Sequence, residues 1–423
     1  MSIQKTGFYA TDILLPDFSK VDGTRWSVVA CDQYTSEPAY WEAAAKTVGN
    51  APSTLNMILP EVYLSETDAR TPLVNEAMKK AIAEVLIAHP DAMIALERVQ
   101  SDGNIRRGII GAVDLECYDY NRGSSALIRA TEGTVLERIP PRVAIRRDAP
   151  IELPHIMLLI DDPQKTVIEP AIAGCSDRTP IYDFDLMLGG GHVRGTLLNT
   201  DEQQAVQSAL AALITPDAME ARYGDATLAP LLFAVGDGNH SLAAAKAAYE
   251  EVKTAFGAEA AKNHPARYAL AEVVNLHDDA LKFEPIYRVV FGVDPADILS
   301  ALTAYTASLN GTATAQSMLC ITQYKEETLT VAHPEQQLTV GTLQTFLFDY
   351  SDRHPEVEVD YIHGEDSLRA LVNRPDAIGF LFDGMRKDEL FRTVIYDGAL
   401  PRKTFSMGHA PDKRYYLESR KIK

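Results

Sequence analysis

The apolar positions of the chain switch repeatedly between the period of a strand and the period of a helix. Leu231-Leu232-Phe233-Ala234-Val235 is a continuous apolar run, short enough for a central strand. The turn Gly236-Asp237-Gly238 comes next. Then comes an alanine-rich stretch from Ser241 to Phe256 in which Leu242, Ala245, Tyr249, Val252 and Phe256 share one helical stripe. Residues 71–88 predict another helix, capped by Thr71, opened by Pro72, striped by Val74, Met78, Ala81 and Val85, and ended by Pro90. Residues 94–99 and 105–113 predict a hairpin around Ser101-Asp102-Gly103-Asn104, and residues 26–30 a buried strand. A second glycine-rich turn, Gly189-Gly190-Gly191, separates 184–188 from 192–194, and Thr200-Asp201-Glu202-Gln203 reads as a capping box. Arg142-Val143-Ala144-Ile145-Arg146 alternates as a strand would, and 378–382 and 390–396 are read as further strands. The pattern predicts a mixed α/β (α+β) protein with mixed sheets flanked by helices.

Composition narrows this picture. The 423 residues exceed what one core fills, about 250–300 residues, so two or three closely packed lobes are expected. They are placed at 1–150, 151–290 and 291–423. The formal net charge of −19 repels phosphate polymers and anionic membranes, which leaves a small molecule as the expected partner and a homo-oligomer open. The four cysteines, Cys31, Cys117, Cys175 and Cys320, have no Cys-x-x-Cys spacing and read as reduced thiols. The first fifteen residues lack the pattern of a signal peptide and no run approaches the ~20 apolar residues of a membrane span, so a cytoplasmic location is expected.

Candidate chemistry concentrates in the turn at 236–241. Strand, glycine turn and helix together present backbone N–H groups at a helix N-terminus, which attracts anions. Gly236 and Gly238 clear the approach. Asp237 is a candidate general base or metal holder, His240 a candidate proton donor or phosphate contact, and Asn239 and Ser241 can cap the helix or touch a ligand. Such a turn in isolation is more often only a capped helix. Its place at the carboxyl end of a buried strand argues for a binding site. The second concentration is basic. Arg129, Arg138, Arg142, Arg146 and Arg147 lie close together in an acidic chain, and Arg142 and Arg146 share one face. Glu132 adds a carboxylate that is a candidate base or metal ligand, and a surface strand laced with ion pairs is the equal alternative. Weaker signals are Asp161-Asp162, His277-Asp278-Asp279, Cys31-Asp32 without a local base, His192 and Arg194, and the basic stretch from Pro401 to Lys423, read either as returning to the core with a phosphate contact or as surface charge.

Five motifs, Trp26-Ser-Val-Val-Ala-Cys-Asp-Gln-Tyr34, Arg129-Ala-Thr-Glu-Gly-Thr134, Gly236-Asp-Gly-Asn-His240, Lys282-Phe-Glu-Pro-Ile-Tyr-Arg288 and Leu400-Pro-Arg-Lys-Thr404, resemble in kind and order those of the domain-of-unknown-function 1015 family, over essentially the whole chain. That family's usual turn is similar to Asp-Gly-His-His-Arg. This chain keeps Asp237, Gly238 and His240 but has Asn239 and Ser241 at the other two places, and Pro285-Ile-Tyr-Arg288 where Pro-Thr-His-Arg is usual, as in a divergent subgroup. The same turn resembles the phosphate-binding motif of the ParB/sulfiredoxin superfamily, which includes free-serine kinases. That second resemblance implies nucleotide binding and phosphoryl transfer. The turn together with the arginine segment motivates the leading expectation, a nucleotide- or phosphometabolite-binding enzyme, a small-molecule phosphotransferase using ATP or ADP with Mg²⁺ oriented by Asp237 or Glu132. A non-catalytic ligand sensor and a metal-dependent hydrolase are the alternatives.

Overall fold

The computed structural model describes residues 5–134 and 136–423, with the side chain of Arg138 also outside the description. The chain forms two compact units. The first comprises residues up to Leu281 together with Gly408–Lys423, and the second is Lys282–Met407. The class is mixed α/β, as the pattern predicts.

The first unit is organised by one large sheet. Its strands are β1 (Ile94–Val99), β2 (Ile105–Asp114), β3 (Tyr118–Asp119), β4 (Ile128–Ala130), β5 (Met157–Ile160), β6 (Tyr182–Asp185), β7 (His192–Leu197), β8 (Phe233–Asp237) and β9 (Tyr268–Asn275). They lie in the order β6-β7-β1-β2-β9-β5-β8-β4-β3, and Phe8–Tyr9 adds to β2. β9 and β5 are parallel, β8 runs antiparallel to β5, and β4 lies parallel to β8. Two helices, α1 (Ile139–Asp148) and α2 (Asn239–Phe256), flank the end of β8. β5, β8 and β9 are apolar along most of their length because both sheet faces are covered: Leu158, Phe233, Val235 and Ala271 pack into one core, Leu270 and Ile110 into another.

Several predicted elements form as expected and several do not. The 94–113 hairpin pairs in register from Ile94↔Ile110 to Val99↔Ile105. The helix predicted at 71–88 spans Thr67–Glu84, with Val74, Met78 and Ala81 buried; Thr71 does not cap it, and Pro90 does not end it but lies six residues further on, in the strand Leu86–Ala92. The capping box is shifted by one residue, with Asn199 as the cap and Glu202 closing it. The strand expected at 26–30 is only Val28–Val29, because Trp26 ends a one-turn helix, Gly23–Trp26. Arg142-Val-Ala-Ile-Arg146 is not a strand but part of α1. Pro140 and Pro141 suit the first helical turn, and Ile139 and Val143, four apart, supply the buried contact. Residues 390–396 are likewise helical, within Lys387–Tyr396, where Leu390 and Val394 pack inward and Glu389 closes the N-terminus; only Ala377–Leu381 of the two late strands forms. In both misread segments a helical pair hides inside a β-branched composition.

The β6–β7 hairpin shows how a glycine turn is used. Gly191 has φ 77, and a Cβ there would fall 2.0 Å from the Val99 carbonyl oxygen, so the close approach to β1 excludes a side chain. Beside it His192 is clamped by Asp185 at Nδ1 (2.7 Å) and Asp183 at Nε2 (2.6 Å). Burial pulls the His192 pKa down, but the two carboxylates outweigh it and leave it above the ordinary histidine value. A raised folded-state pKa stabilises the protein below the unfolded value, about 6.5, and that stability is lost as pH rises through the folded pKa. His192→Gln is therefore expected to lower the melting temperature near pH ~5.5 and to leave it unchanged near pH ~9.5, as read by calorimetry.

The second unit carries an antiparallel sheet in the order Glu326–Val331, Gln316–Ile321, Ala377–Leu381, Phe283–Phe291, Glu358–His363, with Phe405–Met407 against the start of Phe283–Phe291. Val289, Ile321, Leu368, Val372 and Leu381 form one of its cores.

The chain then returns to the first unit as a strap. Tyr415–Tyr416 pairs with Val28–Val29, and Arg420–Lys421 pairs with Ile151–Glu152. Trp26 Nε1 donates to the Leu417 carbonyl at 3.0 Å, and Ser27 Oγ donates to the Tyr416 carbonyl at 2.7 Å. Arg414 reaches two carboxylates at full burial, Glu272 at 2.7 Å and Glu418 at 2.5 Å, and Glu272 also holds Arg106 at 3.1 Å.

Candidate functional site

β8 ends at Asp237 and α2 begins at Asn239, with Gly238 between them in the left-handed conformation (φ 78) as the N-cap. A Cβ on Gly238 would sit 3.0 Å from the Ile156 Cα, so glycine here lets the segment Pro154-His155-Ile156 pass against the turn. Gly236 serves the neighbouring contact: a Cβ there would meet the Leu159 side chain at 2.8 Å. Asp237 faces two ways. Its Oδ1 accepts the Gly238 N–H at 2.8 Å, and its Oδ2 lies 3.3 Å from Lys413 Nζ. Asn239 Oδ1 is buried without a hydrogen-bond partner, while His240 and Ser241 are partly exposed.

Adjacent elements converge on this end of the sheet. β4 lies beside β8 with Ala130 level with Val235, and Thr131 Oγ1 donates to the Val235 carbonyl at 2.7 Å. Glu132 follows two residues beyond the end of β4. α1 packs on the first half of α2 through Ile139 and Val143 against Ala243 and Ala244. That contact brings Arg142 and Arg146 to the start of α2. A cavity of about 140 Å³ is lined by Arg142, Arg146 and Ser241 together with His155, Cys31 and Tyr416. Arg142 and Arg146 thus share one cleft with Ser241, the last residue of the turn segment.

The arginines differ in what remains for a ligand. Arg142 pairs with Glu61, and Arg146 with Glu152 at 2.5 Å. Glu152 also holds Arg420 of the strap at 2.9 Å. Arg129 is turned elsewhere. It donates to the carbonyls of Ala126 (2.8 Å), Ala229 (2.9 Å) and Pro230 (3.3 Å), tying loops together under the sheet edge. Arg147 pairs with Glu251 on the exposed side of α2 at 2.8 Å.

Four residues outside the two main sequence candidates gather here: His155 and Tyr416 line the cleft, Asp32 meets His155, and Lys413 meets Asp237. His155 Nδ1 lies 2.9 Å from Tyr416 Oη, and its Nε2 lies 3.4 Å from Asp32 Oδ2. Burial pushes the His155 pKa down, but Asp32, with Asp237 further off, more than reverses this and leaves it raised. Burial works upward on Asp32 and is outweighed by His155, Gln33 and Lys413, so its carboxyl stays below the usual carboxylate range. Cys31 is an inert thiol beside them, pushed up to about 12 by burial and the Asp32 charge. The local signal for Asp32 was its place at the end of the apolar run 26–30. Lys413 and Tyr416 come from the returning strap, so the basic C-terminal stretch does reach this core, through residues after 408.

The remaining weak signals gather elsewhere. Asp161, at the far end of β5, accepts from Tyr223 Oη at 2.6 Å and meets His277 Nε2 at 2.7 Å. Among the described residues, no group of three or more His, Cys, Asp or Glu side chains is arranged to hold a metal ion. No described helix is long and apolar enough to cross a membrane.

Comparison with known proteins decides the family. The family model described as "Protein of unknown function (DUF1015)" matches residues 16–357, most of the chain. The chain belongs to the DUF1015 family. No curated protein matches it. Among solved structures this DUF1015 chain is similar to a conserved hypothetical protein from Pyrococcus furiosus, at 12% identity and a TM-score of 0.34, covering 74% of this chain and 94% of that one. It is also similar to a free serine kinase in complex with AMP, at 10% identity and a TM-score of 0.35, covering 74% of this chain and 90% of that one. A mutant of that kinase in complex with ADP gives 10% identity and a TM-score of 0.36, over 74% and 91%. At such scores the likeness does not extend to individual residues.

Proposed function

We propose that this DUF1015 protein is an enzyme that binds a nucleotide or another phosphorylated small molecule at the N-terminal end of α2 and transfers or removes a phosphoryl group. The observation that carries the reading is the meeting in one cleft of the first turn of α2 (Ser241) with the arginines of α1 (Arg142, Arg146), next in sequence to the Asp237–Lys413 pair at the end of β8. The amides of that turn and the Lys413 ammonium attract phosphate. His240, on the same turn, contacts the transferring group. Asp237 at the end of β8 and Glu132, two residues past the end of the neighbouring β4, would hold a magnesium ion, which takes one or two protein carboxylates and the rest of its shell from phosphate and water. The ion's chemistry when bound is to neutralise charge on the transferring group. Most of the catalytic effect then comes from positioning and charge, as phosphoryl transfer requires.

In the unliganded protein Asp237 occupies the Gly238 amide and faces Lys413, so it competes with an incoming anion for both. Asp237→Asn is expected to bind ADP about tenfold more tightly without Mg²⁺, because a like charge leaves and Lys413 is released. The same variant is expected to gain nothing when Mg²⁺ is added, whereas the wild type gains, and to lose turnover. Titration calorimetry with ADP and with inorganic phosphate, each with and without Mg²⁺, reads both effects. A wild-type protein that binds neither ligand in either condition rules the proposal out. Binding without turnover on any phosphorylated donor would favour a ligand sensor.

A further inference from the structure

We infer that Asp32 is a second catalytic carboxylate of this cleft, and that His155, itself oriented by Tyr416, is its positioning residue. The inference rests on the phosphoryl-transfer reading above and adds the group that receives the acceptor's proton.

The geometry forms a chain of three. Tyr416 Oη accepts the Cys31 N–H at 3.2 Å and bonds His155 Nδ1 at 2.9 Å, which fixes the imidazole ring in its plane. The other ring nitrogen faces Asp32 Oδ2 at 3.4 Å, and Gln33 Nε2 donates to Asp32 Oδ1 at 3.0 Å. Both carboxylate oxygens are therefore held from behind. The three side chains are graded in exposure. Tyr416 is buried, His155 is 8% exposed and Asp32 is 29% exposed, so Asp32 is the member of the chain most open to solvent, held against the cavity that His155 and Tyr416 line. An imidazole backed by a hydrogen-bonding partner and aimed at an accessible reacting group is the arrangement by which enzymes orient and tune such groups. A buried histidine serving packing alone has no need of an accessible carboxylate at its open nitrogen.

The charged and titratable groups facing His155 are Asp32 from the turn after Val28–Val29, Asp237 from the end of β8, Arg142 from α1, and Tyr416 with Cys31 behind it. Lys413 faces Asp32 from the strap. The sum keeps Asp32 ionised, which suits an acceptor-side carboxylate in phosphoryl transfer, where little proton transfer precedes bond breaking. In the step, an alcohol oxygen attacks the terminal phosphorus of a nucleoside triphosphate or diphosphate. The new O–P bond forms, the bridging P–O bond breaks with its electron pair kept by the departing nucleotide, and the hydroxyl proton passes to Asp32.

The test uses the full chain with ATP and ADP as donors and glycerol as acceptor alcohol, followed by ³¹P NMR, beside ¹⁵N NMR of the histidine rings. Asp32→Asn is expected to lower kcat by about 10²–10³-fold with the KM for nucleotide changed less than about twofold. Asp32→Glu is expected to restore part of the rate. His155→Gln is expected to lower kcat about tenfold and to shift the acid limb of the pH profile, and Tyr416→Phe to move the His155 ring resonances and the same limb. Asp32→Asn is also expected to move the His155 titration to lower pH, a readout that needs no ligand. Urea unfolding of each variant separates these effects from loss of fold. If Asp32→Asn turns over like the wild type, or if His155 titrates unchanged in it, the inference is overturned while the phosphate-site reading stands. If the wild type binds and consumes no nucleotide, both fall together.

Discussion

Replacing Glu272 by alanine is expected to lower the free energy of unfolding by about 3–5 kcal/mol. Glu272 is fully buried between Arg106 at 3.1 Å and Arg414 at 2.7 Å. Burial alone would raise its pKa, but the two guanidinium groups outweigh burial and leave it lowered. Without the carboxylate, two guanidinium charges remain in the core with no counter-charge between them, and Arg98 lies close by with its own pKa pushed down to about 9 by burial and Arg106. Replacing one member of such a cluster is far worse than replacing all of it with apolar residues, because the charges left behind keep their desolvation penalty. Both tryptophans of the chain, Trp26 and Trp41, are buried in the first unit, so fluorescence during urea unfolding follows the unit where the change is made. The pH dependence has a definite sign. A depressed carboxyl contributes stability above its unfolded pKa, about 4.3, and that stability is lost as pH falls through the folded value, so wild type and variant are expected to converge in acid. Because Arg414 fastens the strap that carries Lys413 and Tyr416, ADP affinity is expected to fall with stability. A loss under about 1 kcal/mol would mean that water reaches the guanidinium groups and that the strap is held by its strand pairing instead.

The uneven legibility of this chain comes from the range of the interactions involved. The junction of β8 and α2 was readable because everything that specifies it is contiguous: an apolar run, two glycines and an alanine-rich stripe. The hairpin of β1 and β2 was readable for the same reason. α1 was misread because Arg142-Val-Ala-Ile-Arg146 alternates, and the buried pair that settles the matter, Ile139 and Val143, begins outside that window. The shared face of Arg142 and Arg146 survived the error, since residues four apart lie on one side of a strand and also on one side of a helix. The return of the basic C-terminal stretch was one of two readings open, and which of its residues would arrive beside which groups could not be read. Asp32, His155, Asp237 and Lys413 come from four separate segments, and the second unit lies in sequence between the last two. No periodicity links such positions. The sheet order, the strand pairing of the strap and the ion pairs of Glu272, Glu418 and Glu152 bring them together.

Gly238→Val is expected to remove binding at the cleft altogether and to destabilise the first unit by about 3 kcal/mol. Two independent effects add. A β-branched residue at φ 78 is strained wherever it occurs, by roughly 1–3 kcal/mol. The Cβ would also stand 3.0 Å from the Ile156 Cα, a backbone atom that cannot swing aside. Relief requires the turn and the 154–156 segment to part. That movement carries His155 away from Asp32 and tilts the first amides of α2 away from Lys413. Gly238→Ala has the same sign with a smaller magnitude, and it separates strain from bulk. By contrast, Gly224→Ala, at φ 82 with open space around its Cβ position, has the strain alone and lies at the C-terminal cap of the helix Pro216–Tyr223, not in the turn. It is expected to cost about 1 kcal/mol and to leave ADP and phosphate binding intact. Calorimetry and urea unfolding of the three variants therefore distinguish a functional turn from an ordinary one. If Gly238→Val kept wild-type affinity for the anions the wild type binds, the amides of that turn would not be their seat.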